Sequence, residues 1–348
     1  MPGRRAALLI LIAGVVLGAL PAHGELRLPA GFTARVHVTG DGFDAASRGS
    51  GGIPSSSTLA VDGDGTLYVS RTGRRYTGGE VEDVFPIYRI PPTGAKLTPA
   101  TESRFFLGPP LPNPQVAAVR NGRELFVTTF DRDRRIGVVY RIADGEIELF
   151  AGGTPPPGAS PTLRQPEGAA VDAQGQVYVA DRDQGVVVRF DSRGRLLDRA
   201  YAKVTRPRLV AAGEGEVWVA GDGPAEAPWQ RGPGEVWRIA GDGPPALLLQ
   251  GPVASGIALA PRGPLFVADR QNGEVFVLDA AGRKTTFARF TDNDAPRALT
   301  FVPVTPATRR AGLAGDLLLV VIRNGAWPVN EIVRVTGPFE EFLRALAR

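Results

Sequence analysis

The stretch Pro166-Glu167-Gly168-Ala169-Ala170-Val171-Asp172, then Ala173-Gln174-Gly175-Gln176, then Val177-Tyr178-Val179-Ala180-Asp181, closing with Val186 to Phe190, decides the fold. It reads as three short strands: brief apolar runs rich in β-branched and aromatic residues, separated by one glycine turn and one polar turn. The runs are too short for helices and are bounded on both sides by turn residues. Working outward, a second good copy runs from Ala254 through Leu265-Phe266-Val267-Ala268-Asp269 to Val275-Phe276-Val277-Leu278. Looser copies centre on Leu67-Tyr68-Val69, Leu125-Phe126-Val127, Val217-Trp218-Val219 and Leu317-Leu318-Leu319.

The six central residues Tyr68, Phe126, Tyr178, Trp218, Phe266 and Leu318 lie 58, 52, 40, 48 and 52 residues apart. That is the span of one four-stranded blade plus loops of varying length. A lone blade leaves both faces apolar, whereas six stacked around an axis bury each face against a neighbour. The expected fold is all-β, a six-bladed β-propeller. Phe32, Ala34, Val36 and Val38 alternate with Thr33, Arg35 and His37, the period of a half-buried strand with His37 on its polar side. This N-terminal strand is expected to close the sixth blade beside Glu331 to Val335. After Pro338, the spacing of Phe339, Phe342, Leu343 and Leu346 predicts a short C-terminal helix packed on the ring.

Composition agrees with many short elements joined by tight turns. The 348 residues include 44 Gly and 31 Pro, 43% are hydrophobic, and there is no Cys, which excludes disulfides and thiolate chemistry. Basic and acidic side chains number 40 and 36, too even a balance for a nucleic-acid surface. Met1 to Gly24 reads as an export signal: Arg4-Arg5, an apolar run from Ala6 to Leu20, and the small-residue site Ala22-His23-Gly24. The expectation is a periplasmic or secreted protein with no membrane span after cleavage and a single propeller over residues 25–348.

The openings Pro166-Glu167-Gly168-Ala169-Ala170-Val171-Asp172 and the centres Val177-Tyr178-Val179-Ala180-Asp181 resemble NHL-repeat propellers. The resemblance is strong in two blades and weaker in four, and it implies a ring that serves as a binding platform or as an enzyme. Leu28-Pro29-Ala30-Gly31-Phe32 and Asn324-Gly325-Ala326-Trp327, followed by Ile332 to Val335, resemble the termini of the sorbosone/glucose dehydrogenase propellers. That resemblance implies pyrroloquinoline quinone and calcium as cofactors and a catalytic histidine in the ring, but the only histidine after residue 24 is His37. A third similar family, regucalcin and gluconolactonase, implies a divalent metal at the axis held by oxygen ligands from several blades.

In such a ring the residues just before the six inner strands surround one mouth of the central channel. They are Ser57, Gln115, Glu167, Arg208, Ser255 and Arg297. With one carboxylate among two guanidiniums the set is poor for a divalent metal, and no metal site is expected. It suits an anion: Arg208 and Arg297 as bidentate grips, and Gln115, Ser57 and Ser255 as neutral hydrogen-bonding groups. Glu167 reads either as their counter-ion, pairing with Arg208 across adjacent blades, or as an acceptor for a ligand. Loops on the same face carry Arg71 to Tyr76, Asp131 to Arg135, Pro228 to Arg231 and Arg323 to Trp327, with Arg323 and Trp327 as candidate contacts. Asp62, Asp172, Asp181 and Asp269 read as turn-forming carboxylates. The expected function is binding of a small polar or anionic ligand, a carbohydrate or a partner protein. The alternatives are an aldose dehydrogenase using the quinone, and a metal-dependent lactonase.

Overall fold

The computed structural model describes residues 25–43, 52–54, 56–71, 84–131, 133–225, 230–251, 253–261, 263–323 and 330–346. The expected export signal lies outside the described residues. The described strands form six sheets. Blade one comprises Ser56–Val61, Leu67–Arg71, Val84–Ile90 and Phe106–Pro112. Blade two comprises Gln115–Arg120, Glu124–Asp131, Ile136–Ala143 and Glu146–Gly152, and blade three Pro166–Val171, Val177–Asp181, Val186–Phe190 and Leu196–Lys203. Blade four contains Pro207–Gly213, Glu216–Gly221, Gly234–Ala240 and Ala246–Gly251; blade five contains Ala254–Leu259, Leu265–Asp269, Glu274–Leu278 and Lys284–Phe290. Blade six is built from Ala295–Phe301, Leu317–Ile322 and Asn330–Thr336, and the N-terminal strand Thr33–Gly40 completes it antiparallel to Asn330–Thr336.

The first strand of every blade touches the first strand of both neighbours, so the ring closes around the six inner strands. The hydrophobic core divides accordingly into six clusters, each shared by two adjacent blades. Val177 and Val179 pack toward blade two while Tyr178, on the same strand, packs toward blade four. Both faces of a blade are therefore dry, and the second strands read as unbroken apolar runs instead of alternating with polar residues.

Glycine in the opening Glu167-Gly168 has a steric cause. A Cβ on Gly168 would sit 2.6 Å from the carbonyl oxygen of Arg208, and one on Gly256 would sit 2.7 Å from Cα of Ala298. At these points one inner strand passes directly against the backbone of the next. The carboxylates of Asp62 and Asp172 order the first hairpins of their blades. Each accepts from two backbone N–H groups and from the hydroxyl of Tyr68 or Tyr178. Asp181 and Asp269 likewise cap the turns that follow them.

The C-terminal helix forms over Phe339–Leu346. Phe339 is buried against Phe32, Phe266 and Phe301 in edge-on contacts, which pins the tail over the junction of blades five and six. Four elements were not expected from the sequence, one of them a 3-10 turn over Glu102–Phe105. Leu26–Arg27 adds a fifth strand to blade five, Ala95–Leu97 pairs parallel to Val38–Gly40, and a short helix, Pro306–Arg310, is capped by Thr305.

His37 departs from the expected polar face: it is only 9% exposed. The pairing of the closing strand with Asn330–Thr336 slips between Val36 and Val38, so the alternation breaks at His37. Burial first, then the charges of Arg334 and Arg35, push its imidazole down to about 4. Its Nε2 is buried with no hydrogen-bond partner among the described residues.

Candidate functional site at the channel mouth

The strand registers place the six candidate mouth residues at one level. Ala60 pairs with Tyr68, Ala118 with Phe126, Ala170 with Tyr178, Ala211 with Trp218, Ala258 with Phe266 and Thr300 with Leu318. Ser57, Gln115, Glu167, Arg208, Ser255 and Arg297 each precede these inner-strand residues by three. In blades three to six the pairing skips a residue at that level, so Glu167, Arg208, Ser255 and Arg297 are bulge residues. Blade one slips between Ser56 and Leu59, and blade two one turn of the pleat later, between Val116 and Ala118. A bulge re-aims the side chain of its extra residue and bends the strand. The inner strands enclose a narrow central channel of about 60 Å³, whose lining includes Thr58 and, of the six bulge-level residues, Glu167 and Ser255.

The rim has two chemically distinct sectors. Over blades one and two it is neutral. Ser57 Oγ donates to Gln115 Oε1 at 2.9 Å and lies 2.7 Å from Ser70 Oγ, which in turn lies 2.7 Å from Thr58 Oγ1. Thr128, paired with Gln115, is buried, and its hydroxyl has no hydrogen-bond partner among the described residues. Over blades three and four the rim is charged. Arg208 Nε donates to Asp222 Oδ1 at 2.8 Å, Arg182 Nη2 reaches Asp222 Oδ2 at 3.2 Å, and Arg208 also donates to the carbonyl oxygen of Ala254 on blade five.

Glu167 accepts from Gln165 Nε2 at 2.6 Å. Burial pushes its carboxyl above the ordinary carboxylate range, against the opposing pull of the Arg208 and Arg182 charges. The expected pairing of Glu167 with Arg208 is thus replaced: the guanidinium is held by Asp222 of its own blade. Ser255 is spent on structure, donating to the carbonyls of Ala268 and Pro296 across the seam between blades five and six. Arg297 is half-buried in the bulge of blade six.

Arg323 does not stand on a recognition loop. It is buried, and it bridges Asp294 at 2.7 Å and Glu331 at 2.7 Å. Thr39 Oγ1 donates to the other oxygen of Glu331 at 2.7 Å, which ties this ion-pair knot to the closing strand. Trp327 lies outside the described residues, as do Thr72 to Tyr76, Arg132, Pro228 and Trp229. Asp131, of the Asp-x-Asp pair, accepts from the backbone N–H groups of Asp133 and Arg134 and so forms a turn.

Asp222 and Arg182 were missed as site residues, although the repeat carries the signal. The centres Val177-Tyr178-Val179-Ala180-Asp181-Arg182 and Leu265-Phe266-Val267-Ala268-Asp269-Arg270 end in Asp-Arg, whereas Val217-Trp218-Val219-Ala220-Gly221-Asp222 puts an acid where the others have the arginine. Blade four thereby supplies the carboxylate that the arginine of blade three needs. Among the described residues no group of three or more His, Asp or Glu side chains converges as a metal site.

A closed ring of six sheets, each of four strands or five, defines a class, the six-bladed β-propellers. Residues 163–190, blade three, match the family model of the NHL repeat. None of the curated proteins compared matches the chain. Among solved structures, a gluconolactonase from Xanthomonas campestris is 15% identical, with 82% of this chain and 87% of that one covered at a TM-score of 0.54. A protein of unknown function from Bacteroides thetaiotaomicron is 10% identical over 90% of this chain and 76% of its own, TM-score 0.53. A virginiamycin B lyase from Staphylococcus aureus is 14% identical over 90% and 99%, TM-score 0.48. At these identities the likeness is one of fold.

Proposed function

We propose that the protein is a binding platform for a small hydroxylated carboxylate of the sugar-acid kind. The ligand's acid group turns toward the arginine-bearing blades and its hydroxyls toward blades one and two. The observation that carries this reading is the split of one bulged rim into a hydroxyl and amide sector around Ser57, Gln115 and Ser70 and a guanidinium sector around Arg182 and Arg208. Fixed donors of opposite character on one rim suit a ligand that carries a charge at one end and hydroxyls at the other. The channel, at about 60 Å³, is far smaller than the roughly 300–1,000 Å³ of ordinary ligand pockets, so the ligand rests over the mouth. Arg297, the bulge residue of blade six at the same inner-strand level, is the guanidinium we assign to the ligand's acid group. The export-like residues 1–24 support action in the periplasm or outside the cell.

The quinone-dependent alternative is less well supported by the donor set. Its implied catalytic histidine would have to be His37, which sits on the fourth strand of blade six, far out along the sheet from the inner strand that lines the axis. The lactonase alternative needs several oxygen ligands at the axis with enough negative charge for a divalent cation, and Glu167 is the one carboxylate among the six inner-strand positions.

Calorimetric titration tests the proposal with D-gluconate, D-glucose and acetate as probes. Gluconate is expected to bind, with glucose and acetate each weaker by about tenfold or more, roughly 1.4 kcal/mol. Arg297→Gln is expected to remove gluconate binding. Absence of gluconate binding, or equal affinity for glucose, overturns the reading.

A further inference from the structure

Among the described residues, the closing strand of blade six is paired on only part of its outer edge. Ala95, Lys96 and Leu97 pair with Val38, Thr39 and Gly40. From Thr33 to Val36 no described strand pairs with that edge, and all four residues are exposed, Val36 by 45%. Beside this bare stretch runs a groove of about 480 Å³, walled by Thr33 to Val36 on one side and by Glu25 to Leu28, which extend blade five, on the other. Phe290 and Val333 form part of its lining.

Arg27 and Arg35 line the groove with one carboxylate, Glu25, while its third arginine, Arg323, is held by Asp294 and Glu331. Arg27 stands directly opposite Arg289 in the strand register, and like charges so placed repel. Arg27 is balanced only by Glu25, at 3.2 Å with both side chains largely exposed. Arg35 stands opposite Arg334, whose own carboxylate partner is Asp316. Arg35, which lines the groove, is held in no ion pair among the described residues.

An uncovered strand edge carries unsatisfied N–H and C=O groups that template a further strand. Its charges choose the occupant. Two copies of this chain meeting edge to edge would bring Arg35 and its neighbours against their own equivalents, which disfavours self-pairing. An extended segment with acidic side chains would satisfy both the backbone groups and the arginines. We propose that the edge from Thr33 to Val36, with the groove beside it, docks an extended acidic peptide of a partner protein as an added strand of blade six.

The test uses the full chain and a fluorescein-labelled peptide alternating Val and Glu, read by fluorescence anisotropy at low salt. Two further peptides carry N-methyl groups on alternate backbone amides, one in each phase of the alternation. Saturable binding is expected for the parent peptide. One N-methyl phase should retain it and the other lose it, because only one set of amides faces the edge. Arg35→Glu should weaken binding by about tenfold or more, and the Lys counterpart of the peptide should not bind. Arg297→Gln should leave this binding intact, which separates it from the channel mouth. No binding at millimolar peptide, equal loss from both N-methyl phases, or indifference to Arg35→Glu would overturn the proposal. So would a dimer in sedimentation that Arg35→Glu dissolves, since the edge would then belong to a second copy.

Discussion

Arg208 and Asp222 form a buried pair, Nε to Oδ1 at 2.8 Å, with Asp222 only 1% exposed. The two residues belong to one blade, but the carboxylate also takes Arg182 from blade three and the guanidinium also takes the Ala254 carbonyl of blade five. One ion pair thus spans three blades at the channel mouth. Its value is chiefly conditional: a buried pair is costly to assemble and costlier to break.

Arg208→Ala should therefore destabilise the ring by about 1–3 kcal/mol, because it leaves the buried Asp222 carboxylate with Arg182 alone and the Ala254 carbonyl without its donor. Pairing Arg208→Met with Asp222→Asn should lose less than the two single changes together, with a coupling of about 1–3 kcal/mol in urea unfolding. Strict additivity would show that the pair does not act as a unit. For the same reason Arg208→Ala is a poor probe of ligand binding.

Gly168 offers a test of how the repeat opening works. Alanine there meets the Arg208 carbonyl oxygen at 2.6 Å and Cα of Leu209 at 3.3 Å, all backbone or backbone-bound, so the inner strands must part. Gly168→Ala should cost about 1–3 kcal/mol. Gly251→Ala, where a Cβ meets nothing within 4 Å, should be neutral within about 0.5 kcal/mol. Equal effects at the two positions in thermal melts would remove the close-approach explanation.

The ring was legible because its repeats state their own chemistry. Gly168 and Gly256 mark the close passes, Asp62 and Asp172 the hairpins, and Tyr178 and Phe266 the shared cores. The level of the six mouth residues could be read as well, since it follows from counting back from each central aromatic. Their partners could not. Arg323 looks like a loop arginine until Asp294, 29 residues earlier, and Glu331, 8 later, are brought beside it. His37 was misplaced because alternation assumes an unbroken register, and the slip after Val36 is not encoded in that pattern. The helix at Pro306 was within reach: Thr305 followed by Pro306 is a helix-start signal.

Glu167 carries the next expectation. Its folded carboxyl titrates above its unfolded value, with burial as the leading cause. A raised acid is a liability once pH exceeds the unfolded value, since the unfolded chain releases its proton more readily. The Glu167 contribution to stability should accordingly rise as pH is lowered from neutrality into the carboxylate range. Glu167→Gln, which keeps an oxygen to accept from Gln165, should raise stability at pH 7 and flatten that rise. A loss of stability in urea unfolding at pH 7 would mean that the Arg208 and Arg182 charges outweigh burial.

His37 works in the opposite direction, and its effect falls on the closure of the ring. Folded, its imidazole titrates near 4, whereas the unfolded side chain titrates at 6.5. Below 6.5 the unfolded chain binds the proton that the folded chain refuses, so the sign of the linkage makes stability fall as pH drops from about 6.5 to about 4 and level off below. Desolvation leads the causes, and Arg334 and Arg35 add like-charge repulsion to the protonated form. Because the side chain sits in the strand that joins the two ends of the chain, the loss should appear first as opening of blade six. Urea unfolding across this range should show a decline of about 1–3 kcal/mol assignable to His37. Hydrogen exchange should show Val36 to Gly40 losing protection before the inner strands. His37→Gln cannot take up a proton and should abolish this component of the slope while leaving the rest of the acid response. An unchanged slope in that variant would show that the imidazole does not control closure.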